Sequence, residues 1–218
     1  MTQIDALFAN NRAWAARVKG RDPEFFARLS AQQAPHFLWI GCADSRVPAN
    51  EIVGLPPGDV FVHRNVANQV IHADLNCLSV LQYAVDVLQI RHVIVCGHYG
   101  CGGVKAALDE ERHGLVDNWL GHVRDVADKY RGVLDSLPQG ADATPLLCEL
   151  NVIEQVSNVG RSTVVQDAWA RGQALSVHGW IYAVADGLLR DLETTLSAPA
   201  QVMQVPRRAA AASRARHS

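Results

Sequence analysis

Apolar residues follow two different spacings along the chain. Short continuous apolar runs, such as Phe37-Leu38-Trp39-Ile40 and Val93-Ile94-Val95-Cys96, are typical of buried strands. Strands are predicted over residues 36–41, 59–64, 91–97 and 174–183. Elsewhere apolar residues recur every three or four positions, which predicts helices over 3–18, 25–31, 76–88, 101–108, 115–131, 145–170 and 187–196. Strands that alternate with helices predict an α/β fold, with a mainly parallel central sheet and helices on both faces.

This pattern divides the chain into a single domain and two flanking segments. Residues 1–35 are predicted as an N-terminal helical arm. Because no strand precedes this arm for it to cover, we expect it to pack on the outside of the domain or on a partner subunit. Residues 36–200 are predicted as the α/β domain, and the basic residues 201–218 as a flexible tail.

Composition excludes several classes of protein. The chain has 218 residues, of which 49% are hydrophobic and 19% charged, as in ordinary globular proteins. A net charge of -2 gives no field suited to nucleic acid or to an anionic membrane. No window approaches the ~18 apolar residues of a membrane span, and the first residues lack the pattern of an export signal. Five scattered cysteines do not resemble a disulfide framework, so we expect a reduced, cytoplasmic protein.

Three soft metal ligands follow two of the predicted strands. Cys42 comes directly after the first strand, and His98 and Cys101 come directly after the third. The carboxyl ends of parallel strands meet at one edge of a sheet, where ligands collect. Catalytic zinc usually takes three protein ligands and leaves a fourth position for water or substrate. The sequence therefore predicts a catalytic zinc site, while Cys77, Cys96 and Cys148 are interpreted as core residues.

Asp44 and Arg46 lie beside this predicted site and are separated by one residue. Arginine can hold a carboxylate in an ionised pair and keep it off the metal. The carboxylate can then accept a proton from water at the zinc. Released from Arg46, Asp44 can instead become a fourth ligand, so we expect activity to rise with pH. The alternative interpretation is a structural ion pair at the end of a strand.

The pair of motifs Cys42-x-Asp44-x-Arg46 and His98-x-x-Cys101 resembles the β-class carbonic anhydrases. Residues 61–68, 97–103 and 177–180 extend the resemblance, which covers about residues 3 to 195. It implies reversible hydration of carbon dioxide to bicarbonate and a proton by zinc-bound hydroxide, with one zinc per subunit. It also implies four parallel strands with an added edge strand, and an arm that embraces a second subunit. We therefore expect a dimer or a dimer of dimers.

The resemblance also implies two sets of binding residues. The apolar substrate pocket would consist of Gln33, Phe61, Val66, Tyr83 and Gly102, with Gln33 and Tyr83 on one subunit and the zinc on the other. A bicarbonate-regulated bacterial subset of the family closes its site with the aspartate and binds bicarbonate in a second pocket. In this chain that allosteric pocket would consist of Trp39, Arg64 and Tyr182.

Two alternatives to carbon dioxide hydration remain at this point. The same scaffold can hydrolyse carbonyl sulfide or carbon disulfide, which sequence does not distinguish. The other alternative is a non-catalytic zinc sensor with Asp44 as a permanent fourth ligand. The Asp44–Arg46 pair argues against a sensor, because a closed site needs no arginine that competes for the aspartate.

Overall fold

The computed structural model of the protein describes residues 2–31, 33–109 and 111–217. The chain separates into two compact units, Met1–Ala34 and Pro35–Ser218. The first unit contains helices α1 (Gln3–Arg21) and α2 (Phe25–Ala31). Helix α1 begins with a capping box, in which the backbone N–H of Asp5 donates to Oγ1 of Thr2 and the N–H of Thr2 donates to the Asp5 carboxylate.

Helix α1 of the arm exposes several large apolar side chains. None of the residues of α1 is buried. Four of its large apolar side chains are exposed, namely Ile4, Leu7, Phe8 and Trp14. Exposed apolar patches of this kind mark interaction surfaces.

The second unit contains a five-stranded sheet and eight α-helices among its described residues. The strands are β1 (Phe37–Cys42), β2 (Val60–Asn65), β3 (His92–His98), β4 (Ser176–Tyr182) and β5 (Leu189–Asp191). The helices are α3 (Ala49–Ile52), α4 (Leu75–Gln82), α5 (Gly102–Leu108), α6 (Val116–Lys129), α7 (Arg131–Leu134), α8 (Thr144–Arg161), α9 (Thr163–Ala170) and α10 (Val205–His217). Short turns of 3₁₀ helix cover Val66–Asn68 and Pro199–Gln201, and a π-helical turn covers Tyr83–Val87.

The sheet confirms the predicted fold class. Its strand order is β2-β1-β3-β4-β5; the first four strands are parallel, and β5 is antiparallel to β4. The added edge strand implied by the resemblance is therefore present. Cys42 and His98 are the last residues of the neighbouring strands β1 and β3, so both lie at the carboxyl edge of the sheet.

Helix α8 packs directly on the sheet. A Cβ added to Gly97 of β3 would lie 2.6 Å from Cγ2 of Val152, and one added to Gly179 of β4 would lie 2.8 Å from Cγ2 of Val156. Only glycine allows the backbones of β3 and β4 to approach α8 this closely. Most of α8 is buried as a result, which makes it the central helix of the larger hydrophobic core.

Three predictions differ from the structure. The single helix expected over 145–170 is divided into α8 and α9 at Ser162, which has an extended backbone and caps α9 with its side chain. Residues 187–196 were expected to be helical, but Leu189–Asp191 form β5, and the N–H of Leu192 donates to the carbonyl of Gly179 on β4. The tail was expected to be flexible, but Val205–His217 form α10, in which Ala209 and Ser213 are buried. An alanine run has high helix propensity, and packing on α8 stabilises it further. Within the described part of the chain, no helix combines the length and apolar character needed to cross a membrane.

Candidate metal centre

Cys42, His98 and Cys101 converge at the carboxyl edge of the sheet. Cys42 ends β1, His98 ends β3, and Cys101 is the residue that precedes α5. Their ligand atoms all lie within 4.8 Å of one another, and the two sulfur atoms are 3.7 Å apart. All three side chains are buried. The structure thus brings together the three residues that the sequence predicts as zinc ligands.

His98 is oriented as a metal ligand would be. Its Nδ1 lies 3.0 Å from the backbone carbonyl of Tyr99, to which a neutral imidazole donates its N–H. The other ring nitrogen, Nε2, is buried and has no hydrogen-bond partner. An orphaned buried nitrogen is costly unless a further group binds it. A ring fixed through Nδ1, with the lone pair of Nε2 directed at two sulfurs, fits a metal ion.

The thiols of Cys42 and Cys101 form a hydrogen-bonded pair. A hydrogen bond from the Cys101 thiol, opposed in part by burial, lowers the pKa of Cys42 to about 4. The same hydrogen bond, together with burial, raises the pKa of Cys101. The N–H groups of Asp44 and Ala67 donate to the Cys42 sulfur at 3.4 and 3.3 Å. A divalent cation bound by Cys42 and Cys101 would hold both sulfurs as thiolates.

Asp44 is paired with Arg46 and lies outside the group of converging ligand atoms. Nη2 of Arg46 donates to Oδ2 of Asp44 at 3.1 Å, and both side chains are about half exposed, at 55% and 47%. Arg46 has a left-handed φ of 61°, in a tight turn where the N–H of Val47 donates to the carbonyl of Ser45 at 2.7 Å. The carboxylate is therefore paired with Arg46 and accessible to solvent beside the three ligands.

Arg64 of β2 holds the loop that carries Cys42. Its Nε donates to the Cys42 carbonyl at 2.9 Å, and its Nη2 donates to the Ala43 carbonyl at 3.3 Å and to the hydroxyl of Ser45. The register places Trp39, Arg64 and Tyr182 on one face of the sheet. Trp39 and Tyr182 are buried in the same hydrophobic cluster, whereas the Arg64 guanidinium is engaged with the loop.

Four of the predicted pocket residues lie in the second unit. The rings of Phe61 and Tyr83 have centroids 5.9 Å apart, and Tyr83 begins the π-helical turn, a feature that is frequent at functional sites. Val66 is adjacent to Ala67, whose N–H bonds to Cys42, and Gly102 follows Cys101. Gln33 is an exposed residue of the first unit.

The supporting residues of the site were not predicted. Ala67 has a φ of 62°, and its carbonyl accepts hydrogen bonds from the side-chain amides of Asn151 on α8 and Gln69, both at 2.9 Å. The Oε1 of Gln155 accepts from the N–H of Val70 at 2.8 Å. The signal that indicates such residues is a set of polar side chains on a helix that is buried on almost every side: Glu149, Asn151, Gln155 and Ser157 are all buried.

A second group of ligand-type side chains, His63, Asp74 and Cys77, does not fit a metal ion. Asn65 donates from Nδ2 to the Gln69 carbonyl, and its Oδ1 accepts from the Gln69 N–H, so the orientation of its amide is fixed. The same Nδ2 lies 3.1 Å from Nε2 of His63. Nε2 is therefore the acceptor and Nδ1 carries the proton, which leaves neither ring nitrogen free.

Comparison with known proteins gives consistent results. A family model described as carbonic anhydrase matches residues 37–189. A carbonic anhydrase of Emericella nidulans is 50% identical over 188 residues, covering 86% of this chain and 82% of the relative. The Coccomyxa β-carbonic anhydrase, solved with acetazolamide, superposes with a TM-score of 0.85 at 44% identity, covering 91% of this chain and 90% of that one.

Fungal relatives are prominent among the similar proteins. One of two tetrameric β-carbonic anhydrases from the filamentous ascomycete Sordaria macrospora superposes with a TM-score of 0.82 at 36% identity, covering 88% of this chain and 98% of that one. Membership of the bicarbonate-regulated bacterial subset therefore stays a prediction. The family model, the sequence identity and the fold agree that the chain belongs to the β-class carbonic anhydrases, lyases that hydrate carbon dioxide.

Proposed function

We propose that this chain hydrates carbon dioxide reversibly with one zinc ion per subunit, held by Cys42, His98 and Cys101. The observation that carries this proposal is the buried, unpartnered Nε2 of His98 beside two sulfurs. Zinc, when bound, supplies a Lewis acid that makes a coordinated water more acidic. Two thiolates and a neutral imidazole match the charge and softness that zinc prefers.

Asp44 is proposed as the residue that accepts the proton released by this water. Arg46 engages Oδ2 of this carboxylate, which leaves Oδ1 for the proton. Its 47% exposure lets the proton pass from Oδ1 to buffer. When the pair with Arg46 is broken, Asp44 is proposed to become the fourth ligand and close the site. Arg46 therefore stabilises the open form.

The substrate pocket is proposed to consist of Gln33, Phe61, Val66, Tyr83 and Gly102, with Gln33 and Tyr83 contributed by one subunit and the zinc by the other. Carbon dioxide is uncharged and has no dipole, so an apolar surface suits it. The packed rings of Phe61 and Tyr83 provide such a surface, and Gly102 leaves space beside Cys101. Gln33 would supply a polar group to orient one oxygen.

Bicarbonate is proposed to inhibit the enzyme at Trp39, Arg64 and Tyr182. The support is their shared face of the sheet, together with the contact of Arg64 with residues 42–45. An anion that attracts the guanidinium would weaken its bonds to the Cys42 and Ala43 carbonyls. The loop that carries Asp44 would then be released toward the closed form.

A dimer or a dimer of dimers is proposed as the functional assembly, in the cytoplasm. The exposed apolar residues of α1 support an arm that covers a second copy of the chain. The tetrameric state stated for the Sordaria macrospora relatives is consistent with this. Five buried, unpaired cysteines support a reducing compartment.

The direct test is stopped-flow hydration of carbon dioxide with a pH indicator, using purified zinc-loaded protein. We expect rapid hydration whose rate rises with pH, and one equivalent of zinc per subunit. The matched variant is Asp44→Asn, which keeps the shape of the side chain and removes its charge. Hydration no faster than in buffer, at full zinc loading, would contradict the proposal.

A further inference from the structure

Glu149 is a buried carboxylate of α8 that the proposed reaction does not use. Its exposed fraction is 0%. Its Oε1 accepts a hydrogen bond from the hydroxyl of Tyr99 at 2.5 Å and lies 2.9 Å from Nε2 of His217. Its Oε2 accepts from Nη2 of Arg216 at 2.8 Å. A carboxylate that is buried and fully bonded in this way fixes the position of its partners.

Tyr99 connects this carboxylate to the candidate metal centre. It follows His98 in the chain, and its carbonyl accepts the hydrogen bond from Nδ1 of that ring. The N–H of Tyr99 donates to the Tyr182 carbonyl at 3.0 Å, while its hydroxyl is held by Glu149. The residue that orients the His98 ring is therefore anchored at its backbone and at the far end of its side chain.

Helix α10 completes the arrangement. Arg216 and His217 stand near the end of this helix, and Arg216 also donates to the hydroxyl of Ser213 at 2.9 Å. Arg216 brings a positive charge to a carboxylate that lies 67 positions away in the sequence. A continuous series of hydrogen bonds thus joins the C-terminal helix to His98 through Arg216, Glu149 and Tyr99.

We propose that Glu149 is a positioning residue for the metal centre, acting on His98 through Tyr99 and held in place by α10. This inference rests on the proposed binding of zinc by Cys42, His98 and Cys101. Residues that orient a ligand typically change metal affinity 10–100-fold when they are replaced. Removal of the Tyr99 hydroxyl is likewise expected to weaken metal binding.

The test compares Tyr99→Phe with Tyr130→Phe. Tyr130 offers a matched control, because its buried hydroxyl donates to a carboxylate of the same helix, Glu154, at 3.2 Å. Both variants lose one tyrosine–glutamate hydrogen bond, but only Tyr99 contacts His98. Zinc affinity of the metal-free protein is measured by competition with a chromophoric chelator, so the result does not depend on activity.

We expect Tyr99→Phe to bind zinc about 10-fold more weakly than the parent, and Tyr130→Phe to bind it as the parent does. Unchanged affinity in Tyr99→Phe, or equal weakening in both variants, would overturn the inference. A parent protein that bound no zinc would instead contradict the proposed function itself, and with it the basis of this inference.

A second pair of variants tests the contribution of α10. Arg216→Gln removes the cation that contacts Glu149, and Arg214→Gln removes an exposed cation from the same helix. Weaker zinc binding is expected for Arg216→Gln alone. If both variants, or neither, changed zinc affinity, α10 would have no specific link to the metal centre.

Discussion

The guanidinium of Arg64, on β2, donates to the backbone carbonyl of Cys42, on β1, at 2.9 Å. Two further contacts of the same side chain, to the Ala43 carbonyl and the Ser45 hydroxyl, fix the loop that connects Cys42 to Asp44. Arg64 therefore positions the candidate site as well as belonging to the proposed bicarbonate pocket. The first two predictions separate these roles.

Arg64→Lys is expected to lower kcat/KM about 10- to 100-fold, because a single ammonium cannot make the forked contacts of a guanidinium and the loop is misplaced. Steady-state hydration rates measure this. The exposed Arg112→Lys serves as the control and should leave the rate unchanged. A variant with parental kcat/KM would show that the three contacts do not matter for catalysis.

Tyr182→Phe is expected to abolish inhibition by bicarbonate while retaining the basal rate. This change removes one hydroxyl from the proposed anion pocket and keeps the Tyr182 carbonyl that accepts from Tyr99. Initial rates are measured against bicarbonate at fixed pH and ionic strength. Arg64→Ala should also lose the inhibition, at a lower basal rate. Inhibition as strong as in the parent, in both variants, would remove the allosteric assignment.

Asp44→Asn is expected to lower kcat by about 10²- to 10⁴-fold, the usual contribution of a general acid or base. The amide cannot accept the proton and cannot form the ion pair with Arg46 that the structure contains. Zinc content, measured on the same preparation, should remain one per subunit. Loss of zinc together with activity would indicate that Asp44 is needed for binding rather than for proton transfer.

Gly97→Ala is expected to destabilise the protein by about 1–3 kcal/mol through overpacking. The new methyl group would lie 2.6 Å from Cγ2 of Val152 and would push β3 away from α8. Gly121→Ala is the control, because its helical position has open space, and there the substitution should be neutral or stabilising. Urea unfolding of both variants measures the difference; equal free energies would show that the helix–sheet contact is not tight.

Glu149→Gln is expected to make stability less sensitive to acid. Burial alone would raise the pKa of Glu149, but hydrogen bonds from Tyr99, Ser213, Arg216 and His217 lower it below its usual value of 4.5. A lowered folded-state pKa gives stability that is fully present above the usual value and is lost as pH falls through the folded-state value.

The parent should therefore lose stability below about pH 4.5 more steeply than Glu149→Gln does. Unfolding free energies are compared at several pH values on metal-free protein, so that zinc loss does not contribute. The exposed Glu51→Gln provides the control and should follow the parent. Identical slopes for parent and Glu149→Gln would contradict a lowered pKa.

Local sequence patterns were sufficient for most of the sheet and for the convergence of Cys42, His98 and Cys101. Strands β1 and β3 are continuous apolar runs, and the predicted ligands lie at their ends. The segment that forms β5 was wrongly predicted as a helix, because Leu188, Leu192 and Leu196 follow a helical spacing. Its conformation is determined instead by pairing with β4. The alanine-rich tail was misjudged for a similar reason, since α8 supplies the surface that it packs on.

The supporting residues of the site could not be predicted from local patterns. Tyr99 and Glu149 are 50 residues apart, and Ala67 and Asn151 are 84 residues apart. Such pairs depend on where β3 and α8 lie in the folded chain. A polar residue in a buried helix indicates that a partner exists, but the sequence does not identify the partner.

Helix α8 supports both parts of the site: Asn151 bonds to Ala67, whose N–H donates to the Cys42 sulfur, and Glu149 bonds to Tyr99, which follows His98. The two parts therefore cannot be transplanted separately. A designer who moved them to another α/β scaffold would need to carry residues 148–155 with them. A circular permutant opened within that stretch would lose metal affinity even though every coordinating side chain remained in the chain.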